Sequence, residues 1–202
     1  MAENSFKMKL TKKRIILTIS VLVLAAASLY FLYYYNTHWK PVTVLNYNGV
    51  VIGFRQDIRE AAKVPLYTDA NSTNPDAYLR IGIIHPLVTN ITIVFKNVNL
   101  TENPYYTLEG AEIVGKLKLA YSNVRPPVNL NFTAKEVSSY DNLPGKIQNP
   151  IIALIHPAYA NETSVRFDAR EHVVYIQGKT HKDFDLATIR FLMAALNIQA
   201  QT

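Results

Sequence analysis

From Ile15 to Tyr35 the chain reads IILTISVLVLAAASLYFLYYY, with no charged residue. Few structures accommodate such a run. As a helix rising 1.5 Å per residue it spans roughly 30 Å, the thickness of a bilayer's hydrocarbon core. Only a helix satisfies its own backbone polar groups there. Lys7, Lys9, Lys12, Lys13 and Arg14 precede the run, against Glu3 alone. Positive charge on that side predicts a cytoplasmic amino terminus and places the remainder outside. Tyr33, Tyr34, Tyr35 and Trp39 stand where an interfacial aromatic belt belongs. Ala25-Ala26-Ala27 could serve as a signal-peptidase site. The apolar run continues past it into Leu29, Tyr30, Phe31 and Leu32, which favours an uncleaved signal anchor. The expected organisation is a basic tail (1–14), a transmembrane helix (15–35), a juxtamembrane linker (36–42) and an extracytoplasmic domain (43–202).

The net charge of +6 invites a nucleic-acid reading, but the tail holds four of those six charges and the domain is nearly neutral. Nucleic acid is therefore not an expected partner; the bilayer is, together with other membrane or cell-surface proteins. There is no cysteine, which excludes disulfides, thiolate metal sites and a cysteine nucleophile. Asn-x-Ser/Thr triplets begin at Asn71, Asn90, Asn99, Asn131 and Asn161, where composition predicts about two by chance. All five follow the anchor, as glycosylation on the outer side requires. An exported domain without disulfides points to a prokaryotic envelope, and an archaeal one if the triplets carry glycans.

Within the domain, VTVLNYNGVVIGF predicts a hairpin around Asn48-Gly49. Asp57 to Lys63 reads as a short helix stopped by Pro65, with Thr68 to Pro75 a loop. Asn74-Pro75 and Asn103-Pro104 both open helices, an asparagine cap followed by proline. The first ends near Ile84. In the second, Leu108, Ala111, Val114 or Gly115, Lys118 and Tyr121 form one row, with Ile113, Leu117 and Ala120 beside it. Glu112 and Lys116 are expected to pair on its wet side. NITIVF, VNLNF and IIALI read as strands, the last buried on both faces. SVRF and HVVYI form a hairpin around Asp168 to Glu171. Asp183 is expected to cap a buried final helix, FDLATIRFLMAAL. The fold class is α/β or α+β, one mixed sheet-and-helix domain.

Ile84-His85-Pro86 recurs as Ile155-His156-Pro157, and the following Asn-x-Thr-x-Val recurs in step. That echo suggests an internally duplicated unit with halves 43–121 and 128–197. It also makes His85 and His156 the weak catalytic candidates, with Asp141 or Glu162 nearby. Imidazole serves as a base or a zinc ligand, but no His-x-His or His-Glu-x-x-His spacing supplies further ligands. Proline also forces the residue before it towards extended geometry, a purely structural use of the motif. Gln177-Gly178-Lys179-Thr180 resembles the end of a phosphate loop, yet the required upstream glycine is replaced by Val173. No Gly-x-Ser-x-Gly surrounds Ser139 or Ser164. Asp57 and Glu60 sit among Arg55 and Arg59, as on a solvated, salt-bridged helix. Tyr105-Tyr106 reads as packing at a helix start, with a binding patch as the alternative.

The segments NPIIALIHPAYANETSVR and GKTHKDFDLATIRFLMAAL resemble uncharacterised archaeal membrane-anchored proteins, over most of residues 43 to 197. The resemblance implies an archaeal envelope and carries no activity, cofactor or site residue with it. The leading expectation is a single-pass membrane protein whose outer domain is a non-catalytic scaffold or accessory subunit, with neither cofactor nor metal. An envelope hydrolase or metal enzyme using His85 and His156 is the alternative. A solute-binding or sensor domain, with its pocket between the halves, comes third because the tail is too short for a signalling module.

Overall fold

The computed structural model describes residues 12–34, 40–69, 72–98, 103–122 and 130–200. It divides into two units, 1–40 and 41–202. The first contributes one helix, α1 (Lys12–Tyr34). Its side chains are described from Leu17 to Tyr33, and all of them are exposed. Among the described residues, no helix is long and apolar enough to cross a membrane. Helix α1 is 23 residues long, roughly 35 Å at 1.5 Å per residue. The 15–35 span is read from the sequence, whose uncharged run reaches beyond the described side chains by Ile15 and Ile16 on one side and Tyr34 and Tyr35 on the other.

The second unit opens with β1 (Thr43–Tyr47) and β2 (Val50–Phe54), an antiparallel hairpin in which Tyr47 faces Val50. Asn48 (φ 50°) and Gly49 (φ 85°) both take positive φ, as the tight turn between right-twisted strands demands. A single turn, α2 (Ile58–Ala61), starts at Asp57, whose carboxylate accepts the Arg59 N–H. The short edge strand β3 (Leu66–Thr68) follows, unforeseen in the sequence. In α3 (Pro75–Ile83) the Asn74 amide oxygen accepts the Ala77 N–H at 3.0 Å, the expected cap.

Then come β4 (Asn90–Phe95), α4 (Asn103–Tyr121), β5 (Asn131–Glu136), β6 (Ile151–Ile155), β7 (Ser164–Asp168), β8 (Val173–Gln177) and α5 (His181–Leu196). Six strands form one mixed sheet in the order β3-β7-β8-β6-β4-β5. Strands β8, β6, β4 and β5 run parallel; β7 is antiparallel to β8 and parallel to β3.

Helix α5 packs on β7 and β8 and is flanked by α2, α3 and α4. The main core lies between these helices and one sheet face, where Ile91, Ile93, Ile152, Leu154, Val174 and Ile176 point. The other face carries a smaller cluster, Val94, Ile151, Ala153 and Val173, closed by Leu143 and Tyr140 from the loop after β5. Strand β6 is buried on both faces, which explains its unbroken apolar run.

Four expectations change. Strand β5 runs over 131–136, so it shares only Asn131 and Phe132 with VNLNF and extends past it; residues 128 and 129 lie outside the described residues. It is an exposed edge, specified by pairing with β4 rather than by burial. On α4 the expected Ile113, Leu117, Ala120 and Tyr121 are buried, joined by Tyr106, Glu109 and Lys116, while Leu108 is 41% exposed. Glu112 and Lys116 do pair, but Lys116 is only 8% exposed and its ammonium lies 4.6 Å from the Phe54 ring centre. Hydropathy alone could not rank that face, because two of its charged residues are buried by partners distant in sequence.

The third change concerns the cap of α5, which is Thr180. Its hydroxyl accepts the N–H of Asp183, at the third helical position, and donates to the Asp183 carboxylate. Thr180→Ala is expected to cost about 1 kcal/mol in denaturant unfolding. The fourth concerns the proposed duplication: the first Ile-His-Pro ends a helix and the second ends a strand, and β4 is parallel to both its neighbours whereas β7 is antiparallel to β8. The described elements follow a different order in the two halves. What repeats is a turn.

Candidate functional site

Each His-Pro histidine builds the same local structure. His85 Nδ1 accepts the Leu87 N–H at 3.2 Å, and His156 Nδ1 accepts the Ala158 N–H at 3.2 Å. The two histidine carbonyls accept the Val88 and Tyr159 N–H groups, at 3.0 and 2.8 Å. Proline removes the intervening donor and fixes its φ, so the imidazole reaches the next amide. With Nδ1 as acceptor, each ring carries its proton on Nε2.

The pair is not a site. His85 precedes the amino end of β4, and His156 follows the carboxyl end of β6, which runs parallel to β4. The rings therefore sit at opposite ends of these parallel strands, a strand length of roughly 17 Å or more apart. A hydrolytic or metal centre using both loses its geometry. Among the described residues, no group of three metal-ligating side chains occurs.

What gathers around His156 is aromatic. Tyr105 stacks on His181 (centroids 3.9 Å apart), which stands edge-on to His156 at 5.1 Å, and Tyr106 lies 5.4 Å from His156. This cluster occupies the carboxyl ends of β4 and β6, where open parallel sheets commonly bind ligands. Here the hydroxyls are committed to backbone. Tyr106 donates to the Lys96 carbonyl at 2.9 Å, and Tyr140 donates to the Leu154 carbonyl at 2.6 Å while accepting the Lys96 N–H. Burial pushes both phenols above their ordinary pKa, so they remain donors. The pair Tyr105-Tyr106 thus splits: Tyr106 is buried packing, and Tyr105 is the half-exposed outer ring of the stack.

Asp141 and Glu162 are remote from His85 and instead line a polar cleft of about 890 Å³ beside the loop-covered face of the sheet. The Asp141 carboxylate accepts from the Ser139 hydroxyl (2.6 Å), and Glu162 accepts from Ser164 and Gln177 (2.8 and 3.1 Å). The Arg166 guanidinium lies 4.8 Å from the centre of the Tyr175 ring on the same wall.

The strongest electrostatic feature escaped the sequence. Arg55 does not join the local helix charges; one guanidinium nitrogen meets Glu109 of α4 at 2.5 Å and Asp185 of α5 at 2.6 Å. The Glu109 side chain is 2% exposed. Burial, followed by its contact with Asp185, raises the Glu109 carboxyl well above the ordinary range despite the nearby guanidinium. Asp57 and Glu60 behave as ordinary surface charges, paired with Arg59 and Lys182 at 2.8 and 2.9 Å. A lone glutamate in an amphipathic helix gives no sequence signal that its partner lies 54 residues earlier.

Of the glycosylation candidates, Asn131 and Asn161 are exposed. Asn90 is half-buried, its amide nitrogen bonded to Thr92 and Asn149 and its oxygen to Thr133. In the folded domain its amide is already committed. Asn71 and Asn99 lie outside the described residues.

The Gly178-Lys179-Thr180 stretch joins β8 to α5, as a strand-to-helix turn. At the helix start the Asp183 carboxylate accepts a hydrogen bond from the Thr180 hydroxyl, in the region where a phosphate loop would hold its anion. No family model matches the chain, and neither a curated protein nor a solved structure does.

Proposed function

We propose that this chain is a single-pass membrane protein whose α/β domain stands outside the cell as a non-catalytic binding or accessory subunit. The carrying observation is α1, whose described side chains, Leu17 to Tyr33, are apolar or uncharged and all exposed. Exposed apolar surface of that extent needs a cover, and the sequence flanks suit lipid. In the domain, His85 and His156 are spent on turns and the Tyr106 and Tyr140 hydroxyls on strand-end backbone, which favours a role in recognition over chemistry.

The absence of cysteine makes the topology directly readable. Single-cysteine variants Ala2→Cys and Ser138→Cys, the latter at an exposed position, are treated on intact cells with a membrane-impermeant maleimide. The expected result is labelling of Ser138→Cys alone, with the protein resisting carbonate extraction. Equal labelling of both, or release by carbonate, refutes the assignment.

A solute-binding domain is the second reading, supported by the polar cleft. All of that cleft's lining residues fall between Tyr140 and Gln177. It belongs to the later half of the chain rather than to a junction of two halves.

A further inference from the structure

Among the described residues, strand β1 uses only one of its edges. It pairs with β2 alone, and the two strands form a sheet of their own. A two-residue turn makes Tyr47 and Val50 the closing hydrogen-bonded pair. By the antiparallel alternation, Leu45 and Thr43 likewise direct their backbone groups to β2, while Val44 and Asn46 direct N–H and C=O outward.

That outward edge borders a groove of about 870 Å³, which includes every residue from Val42 to Asn48. The face of a strand would supply alternate residues only. Seven consecutive residues mean that the edge itself forms the wall. Across the groove stand Arg59, Arg80 and the end of α5 at Leu196 to Ile198.

Exposed edges in natural proteins are usually guarded by lysine, proline or a bulge. The stretch VTVLNYN has no charge and no proline, and Val42 and Val44 are exposed. An unguarded edge inside a groove is suited to receive a strand. The charged lining selects which strand: Asp57 is bonded to Arg59 at 2.8 Å, and Arg80 has no ion-pair partner among the described residues.

We propose that β1 is a docking edge for an extended peptide with acidic side chains, which adds a third strand to the hairpin and sets a carboxylate against Arg80. Backbone pairing with Val44 and Asn46 provides the affinity, and Arg80 provides the preference for acid. A lone strand brings only itself into the groove, whereas a second copy would have to bring its own β2 along. The proposal does not depend on the membrane assignment.

The test uses the full chain in detergent micelles and a labelled, end-blocked peptide, Thr-Val-Glu-Val-Glu-Val-Thr. Controls are its Lys-for-Glu counterpart and two versions N-methylated at alternate amides. Saturable binding of the acidic peptide is expected in fluorescence polarisation. One of the two N-methylation patterns should weaken it about tenfold or more, because only one peptide edge faces β1. The lysine peptide should bind at least as weakly, and Arg80→Glu should reverse the preference while leaving the unfolding temperature near that of the parent.

No saturable binding, indifference to both methylation patterns, or a preference unmoved by Arg80→Glu would overturn it. So would disulfide-linked Val44→Cys dimers formed by the peptide-free protein, which would assign the edge to a second copy.

Discussion

Replacing Arg55 with alanine is expected to destabilise the domain by about 3–5 kcal/mol at neutral pH, the usual cost of stranding a buried charge. For a domain of this size that lowers the unfolding temperature by about 10 °C. The cause is specific. Glu109 and Asp185 come from different helices and converge on one guanidinium nitrogen at 2.5 and 2.6 Å. Without it, two carboxyl groups face each other with water largely excluded from Glu109.

The loss should depend on pH in a definite sense. The folded-state pKa of Glu109 lies above its ordinary value of 4.5, so the fold favours the protonated form. Such a group gives its full stability below the unfolded pKa and loses it as pH rises through the folded one. Removing Arg55 raises the folded value further. The difference between parent and variant should therefore be small near pH 4 and widen towards neutrality. Adding Glu109→Gln to the variant should recover much of the loss, because the remaining amide is neutral and keeps the shape. Urea unfolding at a series of pH values measures all three proteins. A loss independent of pH would show that Arg55 acts through packing alone.

Gly178→Ala is expected to cost about 3 kcal/mol, at the upper end for forced overpacking. A Cβ built on Gly178 would lie 2.2 Å from the Phe184 nitrogen and 2.4 Å from the Asp183 carbonyl carbon. These are backbone atoms of the first turn of α5, and a helix cannot yield as a side chain tip can. Since α5 is packed against α2, α3 and α4, displacing its start disturbs the whole helical layer. Lys179→Ala, at an exposed position whose N–H still bonds to Thr163, should stay within about 0.5 kcal/mol. A phosphate-binding loop would behave otherwise, its lysine essential to a ligand response. Guanidinium unfolding of both variants separates the two.

The elements that could be read in the sequence were those specified by a local rule. Asn48-Gly49 fixed a hairpin, Asn74-Pro75 opened a helix, and the unbroken IIALI marked a strand buried on both faces. Elements specified by a distant partner were not legible. Strand β5 is exposed along most of its length and exists because β4 lies beside it. The buried face of α4 includes Glu109 and Lys116, whose company comes from the hairpin through Arg55 and Phe54.

The repeated Ile-His-Pro was legible as a pattern but not as a use. Proline and imidazole at that spacing serve a turn whether a helix or a strand precedes it. The groove beside β1 was equally hidden, since nothing in TVLNY tells which of its edges will be paired.

The sheet is covered unequally. Four helices seal one side, while the other is closed by an irregular stretch that reaches the strands mainly through Leu143 and Tyr140. Local opening draws first on regions with few buried apolar contacts. Lifting that stretch breaks the Tyr140 bonds to Leu154 and Lys96, but it uncovers only the small cluster around Ile151, Ala153 and Val173 and leaves the helical side shut. The molecule thus has a stiff flank and a yielding one. Excursions that leave the fold intact will begin at the yielding flank.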